Sequence, residues 1–121
     1  MNRTLTITLQ PDWAGALRQA SAKTQRGLAG KGYQGEMLNF ESPGMFFGRL
    51  TERRWELVRA LQGEGTCGVR ELARRVGRGV RRVHEDASIL AELGLIEKDA
   101  NGKLSCPYKD IHVDMHLRQA A

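Results

Sequence analysis

Six arginines fall between Val69 and Val83: Arg70, Arg74, Arg75, Arg78, Arg81 and Arg82. One acid, Glu71, lies among them. The segment therefore carries +5, equal to the formal net charge of the whole 121-residue chain, and the remainder is balanced. Guanidinium presents a planar fork of donors that meets phosphate and guanine edges bidentately. A basic cluster of this kind is the electrostatic footprint of nucleic-acid binding. A merely solvated face normally mixes both signs.

Other chemistries find less support. The chain has no P-loop, no G-x-S-x-G and no H-E-x-x-H. Gly30-Lys31-Gly32 lacks the spacing of a phosphate loop. Glu85 and Asp86 are adjacent on an expected helix and point in different directions. They are poor partners for acid–base catalysis and better suited to steering the helix on DNA. His112, Asp114 and His116 share one face of an expected strand, but neighbours two apart lie ~7 Å apart, wide for ligands of one ion. They read as a polar outer face, so neither metal nor cofactor is expected. Cys67 and Cys106 form no C-x-x-C pair and read as free thiols. The chain is not expected to be an enzyme.

The elements that must position the arginines follow from periodicity. Val69, Leu72, Ala73 and Val76 recur at helical spacing, and Gly77 supplies a left-handed stop. A second helical pattern runs from Val80 through Val83, Ala87, Leu90 and Leu93, and ends at Gly94. Two helices joined by a three-residue turn containing glycine are the signature of a helix-turn-helix. A wing follows. Leu95 to Lys98 reads as a strand, Asp99-Ala100-Asn101-Gly102 holds an Asn-Gly hairpin signal, Lys103 to Cys106 returns, and Pro107 closes the run.

Upstream, Thr4 to Gln10 alternates as a half-buried strand with Leu5, Ile7 and Leu9 on one face. Pro11 and Asp12 open a helix lined by Trp13, Ala16, Leu17 and Ala20, and four glycines between Gly27 and Gly35 make a loop. Glu36 to Glu41 reads as a strand. Ser42-Pro43 starts a short apolar helix containing Met45, Phe46 and Phe47. Thr51 caps the next helix, with Leu50 and Trp55 placed for a hydrophobic staple and Trp55, Val58 and Leu61 forming its stripe, flanked by Leu57. Tyr108 to Leu117 alternates as a final two-faced strand. The expected fold class is α+β: a winged helix-turn-helix over 50–121 with an N-terminal β-α-β extension over 1–49 for dimerisation or partner binding. No apolar run is long enough to cross a membrane, and the N-terminus lacks a signal-peptide core, so the cytoplasm is expected.

From Leu50 to Leu117 the chain resembles the MarR-like winged helix-turn-helix regulators found as antitoxins, and more narrowly the DNA-binding antitoxin partner of TumE-type toxins. The resemblance rests on Leu50-Thr51-x-x-Arg54-Trp55-Glu56-Leu57, Val69 to Arg78, Val83-His84-Glu85-Asp86, Leu93 to Lys98 and Pro107-Tyr108-x-x-Ile111-His112-Val113. It covers a little over half the chain, and the Val-His-Glu-Asp and Pro-Tyr-x-x-Ile-His segments are its most specific parts. This chain has Gly79-Val80 where similar sequences often carry an acidic or aromatic residue after the turn. The resemblance implies a homodimer, autorepression and a toxin partner.

The sequence-based expectation is thus a double-stranded-DNA-binding regulator, an autorepressing antitoxin within that class. Arg81, Arg82, His84 and Glu85 are expected to read bases near the start of the recognition helix. Arg70, Arg74, Arg75, Arg78, Lys98 and Lys103 are expected to hold the DNA backbone. The rival readings are a stand-alone or metal-responsive repressor and a winged-helix protein-interaction module.

Overall fold

The computed structural model describes residues 3–10 and 35–116. The helix expected after Pro11 and most of the glycine loop lie outside the described residues. The architecture is α+β. In chain order it runs β1 (Arg3–Leu9), β2 (Glu36–Phe40), α1 (Pro43–Arg49), α2 (Glu52–Leu61), α3 (Val69–Val76), α4 (Val80–Leu93), β3 (Glu97–Lys98), β4 (Leu104–Ser105) and β5 (Tyr108–Asp114). The chain divides into two compact units. Of the described residues, one comprises 49–109 and the other 3–10, 35–48 and 110–116.

The first unit is a three-helix core closed by a hairpin. Thr51 caps α2 by accepting from the Arg54 N–H, and α2 buries Leu57, Val58 and Leu61. Trp55, expected in that stripe, is only half-buried, and Leu57 lies in the core. Arg54, half-buried like Trp55, lies on the same side of the helix as Leu57, Val58 and Leu61, with 17 % of its side chain exposed. Helix α3 adds Leu72 and Ala73. Helix α4 adds Val83, Ala87 and Leu90. Each fully buried leucine contributes about 1.5–3 kcal/mol relative to exposure.

Both α3 and α4 end in Schellman motifs. Gly77 (φ 69°) donates to Arg74 O, and Arg78 N donates to Ala73 O at 3.0 Å. Gly94 (φ 90°) donates to Ala91 O, and Leu95 N to Leu90 O, again at 3.0 Å. Leu95 is therefore consumed by the cap and buried. For that reason β3 begins at Glu97 rather than at Leu95.

The turn between β3 and β4 is built on Asp99. Its carboxylate accepts from the Asn101 and Lys103 N–H groups, each at 2.9 Å, and Gly102 takes φ +80°. Asn101 keeps a negative φ, so the Asn-Gly pair does not form the two-residue turn its sequence suggests. Cys67 exchanges two backbone hydrogen bonds of 2.8 Å with Leu104, which sets a third extended segment beside the hairpin.

In the second unit β1 and β2 run parallel, with Ile7 opposite Leu38 and Leu9 opposite Phe40, and the strand order is β2-β1-β5. Leu5 and Ile7 are buried as expected, but so is Thr8, which belongs to the face expected to be polar. Asn39 satisfies it. Its Oδ1 accepts from Thr8 Oγ1 at 2.8 Å, and its Nδ2 donates to Gln10 O. Ser42 caps α1 through Met45 N, and Phe46 packs edge-on to Phe40. Strand β5 ends at Asp114. Ile111 is half-buried and Val113 37 % exposed, so the apolar side of its alternation is only partly buried.

Candidate nucleic-acid interface

Helix α3 turns Leu72 and Ala73 inward. Arg70, Arg74 and Arg75 then project from the opposite side, all exposed, with Glu71 among them. Glu71 accepts from both Arg74 and Arg75 in i,i+3 and i,i+4 pairs. Arg70 takes part in no ion pair among the described residues.

Only Gly77-Arg78-Gly79 separates α3 from α4. Gly79 is the N-cap of α4 and supplies no side-chain acceptor, and the first turn of α4 holds no acid. Neither the N-cap nor the first turn of this 14-residue helix thus supplies a side chain that neutralises its positive end.

Burial of Val83, Ala87 and Leu90 fixes the rotation of α4. Arg81 and Glu85 fall on its outward stripe, with Arg82 and His84 to either side, and all four are exposed. Arg81 is 93 % exposed and lies 3.6 Å from Glu85. At that exposure the pair contributes little to stability and leaves both groups available. Lys98 and Lys103 flank the Asp99 turn at the tip of the hairpin, both exposed.

Arg78 behaves differently. It was expected to hold phosphate, yet its side chain is only 11 % exposed and donates through Nη2 to Asp86 Oδ2 at 2.8 Å. Arg78 sits at the position after the left-handed glycine of the Schellman motif, and its side chain turns inward to Asp86 on the helix that follows. Asp86 also accepts from Arg54 Nε at 3.1 Å, and Arg54 Nη1 donates to Arg49 O at 2.6 Å. Burial raises the Asp86 carboxyl pKa. Hydrogen bonds from Arg78 and Arg54, together with their charges, outweigh that and bring it below the ordinary 3.8. Arg78 Nη1 is buried with no hydrogen-bond partner among the described residues.

Sequence reasoning overlooked Arg54 and with it the ion pair that Asp86 makes to α2. A usable signal existed. Asp86 completes the spacing 83, 86, 87, 90 on α4 as Arg54 does 54, 57, 58, 61 on α2, so opposite charges occupy the apolar stripes of two packed helices. Elsewhere in this unit Cys106 is half-buried. Burial raises its thiol pKa, the Tyr108 backbone lowers it and Glu97 raises it, with a net upward shift that disfavours the reactive thiolate.

No helix among the described residues is long and apolar enough to cross a membrane. No curated protein and no solved structure matches the chain. Residues 49–113 match the model of the HVO_A0114 family. That span takes in α2, α3, α4, the hairpin and most of β5, and with more than half of the chain matched, the protein belongs to the HVO_A0114 family.

Proposed function

We propose that this protein is a sequence-specific DNA-binding transcriptional regulator of the winged helix-turn-helix type. One observation carries the reading: five arginines stand exposed on two consecutive helices separated by three residues, while the sixth is turned inward to pair with an acid. Under this reading α4 enters the major groove, and Arg81 and Glu85 face base edges with Arg82 and His84 beside them. Arg70, Arg74 and Arg75 meet phosphates. The open N-terminus of α4 adds an anion-binding end to the same region. Lys98 and Lys103 carry the hairpin tip to the backbone or minor groove.

The reading includes a homodimer, because a single unit of this size reads few bases and paired half-sites are the usual remedy. Met45 and Phe47 in α1, Phe47 at 59 % exposure, supply apolar surface for a second copy. An antitoxin role is the narrower form of the proposal. It rests on the resemblance to antitoxin regulators and requires a co-purifying toxin.

Selection of duplexes from a random library by the full-length protein tests the proposal. The expected product is a recurring motif in two half-sites about one helical turn apart. Recovery of no motif, with no retention of any duplex at low salt, would favour the protein-interaction reading.

A further inference from the structure

We propose that Asp86, Arg54 and Arg78 are positioning residues that set the rotation and depth of α4 as it meets DNA. The inference rests on the DNA-binding reading above. Apolar packing through Val83, Ala87 and Leu90 holds α4 against the core but is not directional. The ion triad is directional. Arg78 ties the turn before α4 to its second turn at 2.8 Å. Arg54 ties the same carboxylate to α2 at 3.1 Å, and anchors itself on Arg49 O. All three side chains are largely buried, at 11, 17 and 16 % exposure for Arg78, Arg54 and Asp86.

As a stabilising device the triad is poor. It sets two cations on one anion beside a basic segment and leaves Arg78 Nη1 without a partner among the described residues. Apolar residues of similar volume often do as well or better for stability. What an ion triad supplies that they cannot is a fixed geometry. Asp86 is adjacent in sequence to Glu85 and one helical turn and a residue beyond Arg81. A small rotation of α4 about this anchor would therefore displace the proposed base-reading stripe while leaving the α3 arginines over phosphate.

The test uses the full-length protein, the duplex it selects from a random library, and a scrambled duplex of the same composition. Asp86→Asn and Arg54→Lys, checked for folding by circular dichroism, should bind the scrambled duplex within about twofold of the parent, because phosphate contacts carry no sequence information. Their preference for the selected duplex should fall about tenfold or more, comparable to losing one bidentate base contact. A merely structural role predicts equal loss on both duplexes, in step with the unfolded fraction, and that result overturns the proposal. So does an unchanged preference in a folded variant. Where Asp86→Asn fails to fold, Arg54→Lys and Arg78→Lys decide, since each keeps its charge and alters only the donor geometry. If the parent protein selects no duplex, the DNA-binding reading itself fails, which is distinguishable from a selective parent with indifferent variants.

Discussion

Arg78 Nη2 donates to Asp86 Oδ2 across 2.8 Å, joining the turn that opens α4 to the second turn of α4 itself. Arg54 reaches the same carboxylate from α2. The local consequence is that one of six clustered arginines is withdrawn from the surface. The remaining five are divided between α3 and the start of α4.

The Asp86 carboxyl titrates below its unfolded value of about 3.9 in the folded chain. Its contribution to stability is therefore fully present above that value and is lost as pH falls through the lower, folded pKa. Urea unfolding at a series of pH values should show a loss of stability on the acid side that Asp86→Asn reduces. The variant should already be about 3 kcal/mol less stable at neutral pH, because two guanidiniums lose their partner. An unaltered acid limb in Asp86→Asn would assign that loss to other carboxylates.

Gly77→Ala should destabilise the protein by about 1–2 kcal/mol. A Cβ there meets nothing within 4 Å, so the cost is that of forcing an L residue to φ 69° rather than of a clash. Thermal unfolding should show a lowered midpoint with an unchanged circular dichroism spectrum at low temperature. A neutral substitution would mean that α3 ends differently in solution.

Glu71→Gln should tighten binding to random DNA. Glu71 now accepts from Arg74 and Arg75, and losing its charge removes both an internal competitor and a repulsion toward phosphate. Fluorescence anisotropy at low salt should read a gain of several-fold, on the order of 1 kcal/mol. Weaker binding would show that Glu71 is needed to aim the two arginines.

Much of this arrangement was readable in the sequence because its signals are local. Gly77 and Gly94 mark helix ends whatever the tertiary context, and Thr51 and Ser42 cap helices through side chains three residues from their targets. The hairpin was readable too, but not its turn: Asp99 accepts two backbone N–H groups and makes a left-handed Asn101 unnecessary. The Arg54–Asp86 pair was missed because its partners are 32 residues apart and neither pattern alone implies the other. Thr8 was placed outward because alternation carries no information about Asn39 on the next strand. Val113 follows the apolar alternation of β5 but is left exposed, since periodicity says which residues share a face and not whether anything covers it.

If the exposed arginines of α3 meet DNA phosphate, duplex binding must depend on salt through them. Affinity of the full-length protein for a labelled duplex should be measured from about 50 mM to about 200 mM salt, beside an Arg70→Ala/Arg74→Ala/Arg75→Ala triple variant. Log K should fall steeply with log salt for the parent, with a slope shallower by about 3 in the triple variant, roughly 1 for each phosphate contact removed. An equal slope in both proteins, or no binding by the parent at the lowest salt, would contradict those contacts.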